Sequence, residues 1–198
     1  MKKQLILVQL SLLALLFTSG LVAQTKWTVD KVHSNVKFSV SHMVVSEVEG
    51  SFKGFDGTIV VSKDNLSDAV INFSVDVASV STDNVNRDNH LKSDDFFNAE
   101  KFPKMTFVSK SMTLVGGNKY KLTGDLTMRD VTKTVDFDVT YGGKIQTNDG
   151  GYKSGFKARA TIDRTNFGVN FTGTLKAGGL MVGNDVEIIV NLEMNQAK

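Results

Sequence analysis

From Asn35 onward the chain alternates strictly, with Val36, Phe38 and Val40 on one side and Lys37, Ser39 and Ser41 on the other. Side chains of a strand project with a period of two, so this segment hides one face and wets the other. His42 shares the parity of the apolar row, which puts a polar tip at the end of a hidden face, whereas His33 has the opposite parity. The same pattern recurs along the chain. Val48 and Phe52 alternate with Glu47, Glu49, Ser51 and Lys53, and Ile71, Phe73, Val75 and Val77 with Asn72, Ser74 and Asp76. Tyr120, Leu122, Leu126 and Met128 oppose Lys119, Lys121 and Asp125; Val135, Phe137, Val139 and Tyr141 oppose Asp136, Asp138 and Thr140. Phe156, Ala158, Ala160 and Ile162 oppose Lys157, Arg159 and Asp163, and Val186, Ile188, Val190, Leu192 and Met194 oppose Glu187, Asn191 and Glu193. Turn signals at Gly54, Gly57, Gly116-Gly117-Asn118, Gly142-Gly143 and Asn148 to Gly151 punctuate these runs. Many short half-buried strands joined by tight turns predict an all-β domain, an antiparallel barrel or a sandwich.

One segment has no period of two. Around 82–97 the chain is rich in helix-capping residues and predicts a short helical insert. Ser81 or Thr82 is placed to cap a first turn, Asp83 to face the helix dipole and to pair with Arg87 four residues on, and Ser93 to cap a second turn. Pro103 closes the excursion before a strand beginning near Met105.

The outer parity carries Lys37, Glu47, Lys121, Asp136, Asp138, Lys157, Arg159, Glu187 and Glu193. A membrane-spanning barrel needs an apolar outward band, so the charged parity argues for a water-facing wall around an apolar interior. The N-terminus reads as a leader: Lys2 and Lys3, then an apolar run from Leu5 to Phe17 interrupted by Gln9 and Ser11, then small residues up to Ala23. That run falls short of a bilayer span, so residues 1–23 are expected to be a cleaved signal peptide and 24–198 a single domain without a transmembrane span. The alternative is an uncleaved anchor. The chain has 23 basic and 21 acidic residues. With the two leader lysines removed the remainder is formally neutral, which argues against a nucleic-acid partner. There is no cysteine, so neither disulfides nor a lipid-modified cysteine contribute.

Catalytic motifs are missing from the pattern: no glycine-flanked serine elbow, no P-loop and no dinucleotide fingerprint is present. The three histidines, His33, His42 and His90, show no metal-ligand spacing, and no metal site is expected. Asp88 and His90, two apart, cannot face each other on a helix, whereas Arg87 and His90 can share a face. The alternation itself does not distinguish a packed interior from a hollow one.

Several separated blocks together resemble the YceI-like family of secreted lipid-binding proteins. They are the opening W-x-V-D-x-x-H-S-x-V-x-F-x-V-x-H from Trp27 to His42, the run from Asn86 to Ser109, and Gly124 to Met128 continuing through Val131-Thr132-Lys133. Gly155-Phe156 and Ile162-Asp163-Arg164 through Phe167-Gly168 extend the likeness, which covers residues 26–195. Asp130 stands where the family commonly has glycine in a tight turn, and Thr134 where it often has proline. The resemblance implies a lipocalin-like barrel of about eight strands holding a long isoprenoid lipid, quinone-type or polyprenyl, in the periplasm or outside the cell, with no further cofactor and no catalytic residue. On that reading Val36, Phe38, Val40, Val48, Phe52, Phe73, Val75, Leu126, Phe137, Phe156 and Ile188 line the cavity, and His42, Arg87 and His90 meet a polar head group. The family often forms homodimers, a state the outer faces leave open. An envelope enzyme acting on a lipid in the same cavity is the alternative, and a packed barrel serving as an adaptor is a third reading.

Overall fold

The alternating runs become strands whose apolar parity turns toward one enclosed interior. The computed structural model describes residues 24–176 and 178–197; the expected leader lies outside them. The strands are β1 (Thr25–Val29), β2 (Asn35–His42), β3 (Ser46–Phe52), β4 (Phe55–Val61), β5 (Val70–Asp76) and β6 (Val80–Ser81). After helix α1 (Val85–Lys92) come β7 (Lys104–Gly116), β8 (Lys119–Met128), β9 (Val131–Gln146), β10 (Tyr152–Asp163) and β11 (Val182–Gln196). All pairings are antiparallel, and β1 pairs with both β4 and β11, which closes the sheet.

Each of the first three staves is broken in two. β1 and β2 both lie along β11, β3 pairs with β2 while β4 pairs with β1, and β5 and β6 follow suit, so the barrel has eight staves. The first break is set by Asp30, whose carboxylate accepts from the backbone N–H of Val32 at 3.1 Å and of His33 at 3.3 Å. That Asx turn ends β1 and lets β2 restart. Among the described residues, closure leaves no long unpaired edge of the kind that promotes aggregation.

Four local readings are corrected by the structure. Gly57 lies inside β4, not in a turn, directly opposite Phe73. Gly142-Gly143 lies inside β9, where the register with β10 shifts at Gly155/Phe156 and Gly143 takes φ +91°, so the pair forms a bulge. β7 escaped the period because a bulge between Ser109 and Ser111 switches its buried parity from Met105 and Phe107 to Met112. The helix is capped by Asn84, whose side chain accepts from the Arg87 N–H, while Thr82 is buried instead. Asp88 accepts from the Thr82 N–H and hydroxyl at 2.8 and 2.6 Å, and Arg87 Nε donates to the Thr82 hydroxyl at 2.7 Å. The Ser93 hydroxyl bonds the His90 carbonyl at the end of α1, so it closes that helix and does not begin another.

Between β8 and β9, Arg129 and Asp130 form the two-residue turn at φ +50° and +58°. This is the left-handed geometry that favours glycine at the second position. Asp130→Gly is expected to stabilise the protein by about 1 kcal/mol, raising the melting temperature by roughly 2–4 °C in a thermal scan. An unchanged or lowered midpoint would count against strain at this turn.

The outer wall is charged and laced across strands. Lys121 meets Asp136 at 2.9 Å, Arg159 meets Glu187 at 2.6 Å and Lys104 meets Asp76 at 2.7 Å. Such exposed pairs contribute little stability each, but they mark the wall as wet. Among the described residues no helix is long and apolar enough to cross a membrane. Inside, the end of the barrel where β1 begins and β11 finishes, the base, is filled by side chains such as Trp27, Ile59, Val61, Met112 and Met194. The opposite end, the mouth, is where β2 finishes, β11 begins and α1 lies across.

Candidate functional site

The interior is hollow toward the mouth. A central chamber of about 150 Å³ is walled by Val36, Phe38, Val40, Phe52, Phe73, Val75, Leu126, Phe137 and Ile188, with Leu91, Phe97, Met105 and Val186 among its further lining. Toward the base, Phe73, Phe107, Phe137 and Val190 are shared with a smaller chamber of about 90 Å³ that Phe156, Ile71 and Leu192 complete. Toward the mouth, Phe38, Val40, Leu91, Phe96 and Val182 are shared with an outer chamber of about 280 Å³ that His42, Val48, Arg87 and His90 help to line. Every residue singled out from parity and resemblance thus lines one of three successive chambers along one bore. The reason is the pleat: cavity-facing partners such as Val36 and Phe52, or Val40 and Val48, are directly paired across β2 and β3.

The histidines are not brought together. His33 sits on the turn after β1, near the base and outside the barrel, whereas His42 and His90 flank the mouth. His33 belongs to a cluster with Asp30 and Glu193 whose ligating atoms lie within 4.8 Å of one another. The Lys153 ammonium occupies it, at 2.8 Å from Asp30 Oδ2 and also in contact with Glu193, so the carboxylates already have their cation. Lys153, then the His33 hydrogen bond, holds the Asp30 carboxyl far below the usual carboxylate range, and the hydrogen bonds to Asp30, then to Glu193, raise the Lys153 pKa. The cluster reads as an ion-pair knot that ties β1, β10 and β11 together.

Two features of the mouth were not found from sequence. The first is an aromatic gate. Phe96 and Phe171 stack at 4.8 Å, and the His90 ring stands edge-on to both at 5.0 and 5.5 Å. His90 Nε2 is held 2.9 Å from Asp95 Oδ2. Phe171 lies in a stretch without period, so nothing in the alternation marked it. The second feature is Arg164, which is 5% exposed and borders the central chamber. Its guanidinium donates to the carbonyls of Gly183 at 2.8 Å, Val169 at 2.5 Å, Phe171 at 2.9 Å and Val182 at 3.1 Å. Burial draws its pKa below that of a free guanidinium, and the charge of Asp163 opposes the shift. Arg164 continues the hidden parity of Ala160 and Ile162, and a charge at a hidden position was the available signal. Arg129 does the same for the other half of the gate: it bonds the carbonyl of Phe96 and, at 2.8 Å, that of Asp94.

This barrel, with its bore and capped mouth, has relatives. The sequence model of the YceI-like domain matches residues 27–194. The chain belongs to the YceI-like family. A UPF0312 protein of Staphylococcus aureus strain MSSA476 is 37% identical over 172 residues, 86% of this chain and 98% of the relative. Among solved structures, a YceI protein of Campylobacter jejuni superposes with a TM-score of 0.69 at 34% identity, over 86% of this chain and 97% of its own. BcnA of Burkholderia cenocepacia gives 0.72 at 27%, over 83% and 98%. The same fold, at a TM-score of 0.63 and 14% identity over 86% and 98%, occurs in a chain described as a polyisoprenoid binding domain from Saccharophagus degradans implicated in plant cell wall breakdown. The YceI-like family thus accounts for the fold and for the blocks that first suggested it.

Proposed function

We propose that this YceI-like protein binds one long apolar lipid of the isoprenoid class in its bore and carries or stores it in the bacterial envelope, after export and removal of residues 1–23. The observation that carries the reading is the apolar lining of three successive chambers that share wall residues from one to the next. Valine, leucine, isoleucine, methionine and phenylalanine dominate that lining, and the guanidinium of Arg164 is committed to backbone carbonyls. Burying a hydrocarbon there is favourable by about 0.8 kcal/mol per methylene, which needs no charge pairing. At the outer chamber, His42, His90 and the Arg87 nitrogen not engaged by Thr82 offer hydrogen-bonding groups to a head group. The S. degradans domain supports the ligand class by its fold. Binding, not turnover, is the reading that this arrangement favours.

Mass spectrometry of organic extracts from the purified protein, beside native mass spectrometry of the intact complex, tests it. The expected result is one prenyl or other long-chain lipid per chain, and the native spectrum also reads the oligomeric state. A protein that carries no lipid and refuses added isoprenoids would overturn the proposal.

A further inference from the structure

Three glycines face the interior of the barrel wall, and each lies under a phenylalanine ring. Gly50 on β3 is paired with Phe38 on β2, and Gly57 on β4 with Phe73 on β5. Gly124 on β8 is paired with Ser109, with Phe107 next in line on the same face of β7. A methyl group on Gly50 would sit 2.6 Å from Phe38 Cε1. One on Gly57 would sit 3.0 Å from Phe73 Cε2 with Cδ2 closer still, and one on Gly124 2.7 Å from Phe107 Cε2. Carbon atoms prefer about 3.5–4.0 Å, so each ring occupies the volume a Cβ would take. By contrast, Gly116 at the end of β7 has nothing within 4 Å of that position.

The positions of these rings give the glycines a role. Phe38 is shared by the outer and central chambers, and Phe73 and Phe107 by the central and base chambers. The three rings therefore stand at the two junctions of the bore. A ring displaced from its socket has the sheet behind it and only the lumen in front. We propose that Gly50, Gly57 and Gly124 are specificity-determining residues: sockets that lay these rings against the wall and keep the junctions open to the width of one slender chain. The inference rests on the lipid-binding reading. It adds that the sockets select a flexible linear hydrocarbon over a fused-ring one, and that the Gly57 junction sets how much chain the bore accepts.

The test measures binding of a ladder of prenyl alcohols of increasing length, and of a sterol, to the mature protein. Gly57→Ala is the first variant, because a methyl at Gly124 would also press the Val108 carbonyl at 2.6 Å. It is expected to keep its affinity for short prenyl alcohols and to lose about tenfold or more for long ones, as a single misplaced methylene does in an apolar pocket. Adding Phe73→Leu to Gly57→Ala is expected to restore long-chain binding, and Gly116→Ala to bind as the unaltered protein does. Phe73→Leu alone, which places no new atom in the sheet, reads the same junction should Gly57→Ala fail to fold, and is expected to admit the sterol. A Gly57→Ala profile identical to the parent, no restoration by Phe73→Leu, or an unchanged profile for Phe73→Leu alone would overturn the sockets while leaving lipid binding standing. A parent protein that binds no member of the ladder would overturn both.

Discussion

Replacing Arg164 by methionine is expected to remove about 2–4 kcal/mol of folding stability, read as a fall in the urea midpoint at unchanged slope. Methionine approximates the volume and hydrophobic stem but leaves the carbonyls of Val169, Phe171, Val182 and Gly183 without their shared donor. Each buried carbonyl left unpaired costs about 1–3 kcal/mol, and four do not all regain water behind the loop that follows β10. Against a total of about 5–15 kcal/mol for a domain, this is among the largest single losses the chain can suffer. Arg164→Lys should fall between, since an ammonium lacks the planar fork that spans carbonyls on both sides of it. A loss below about 1 kcal/mol for the methionine variant would show that the carbonyls find other partners.

Placing a carboxylate in the bore, by Phe38→Glu, is expected to weaken lipid binding more than a hundredfold, about 3 kcal/mol or more, while the empty protein still folds. Phe38 is only half-buried and borders the outer chamber, so the new carboxylate can stay hydrated until a lipid arrives. A bound chain would strip that water and leave the charge unpaired against hydrocarbon. The sign of the pH effect follows: affinity should recover as the pH falls below about 4, where the carboxyl is neutral. Arg159→Gln, on the outer wall, should leave affinity unchanged. Titration of a fluorescent prenyl analogue across pH reads all of this, and a variant that binds like the parent at neutral pH would place the lipid elsewhere.

The wall of the barrel was legible because it obeys one rule. Along β2, β5 and β8, and in β9, β10 and β11 away from their register shifts, parity separated residues such as Val36, Phe38 and Val40 from Lys37, and the chamber walls follow from that separation. Ser39, expected in water, is instead covered on the outer face with its hydroxyl held by Glu47. Where the backbone departs from the pleat, the rule fails. The strand expected near Met105 is β7, but the bulge near Lys110 hid its buried parity, and the glycine that admits the Phe73 ring made β4 look like a turn. The cap of α1 was displaced from Thr82 to Asn84 because Thr82 is drawn under the helix by Asp88 and Arg87. The gate was not readable at all. Phe96 and Phe171 meet on irregular backbone whose carbonyls two arginines hold, and such bonds leave no trace in side-chain periodicity.

That gate has a kinetic consequence. The carbonyls behind Phe96 and Phe171 are pinned by charge-assisted bonds from Arg129 and Arg164, and Phe96 is buried, whereas Phe171 is only half-buried and its stacking on Phe96 contributes about 0.5–1.5 kcal/mol beyond its burial. Swinging the Phe171 ring is therefore easier than lifting the loops. For a carrier of the kind proposed above, loading is then expected to need no lifting of either loop, and its rate to follow how quickly the donor bilayer releases a lipid molecule.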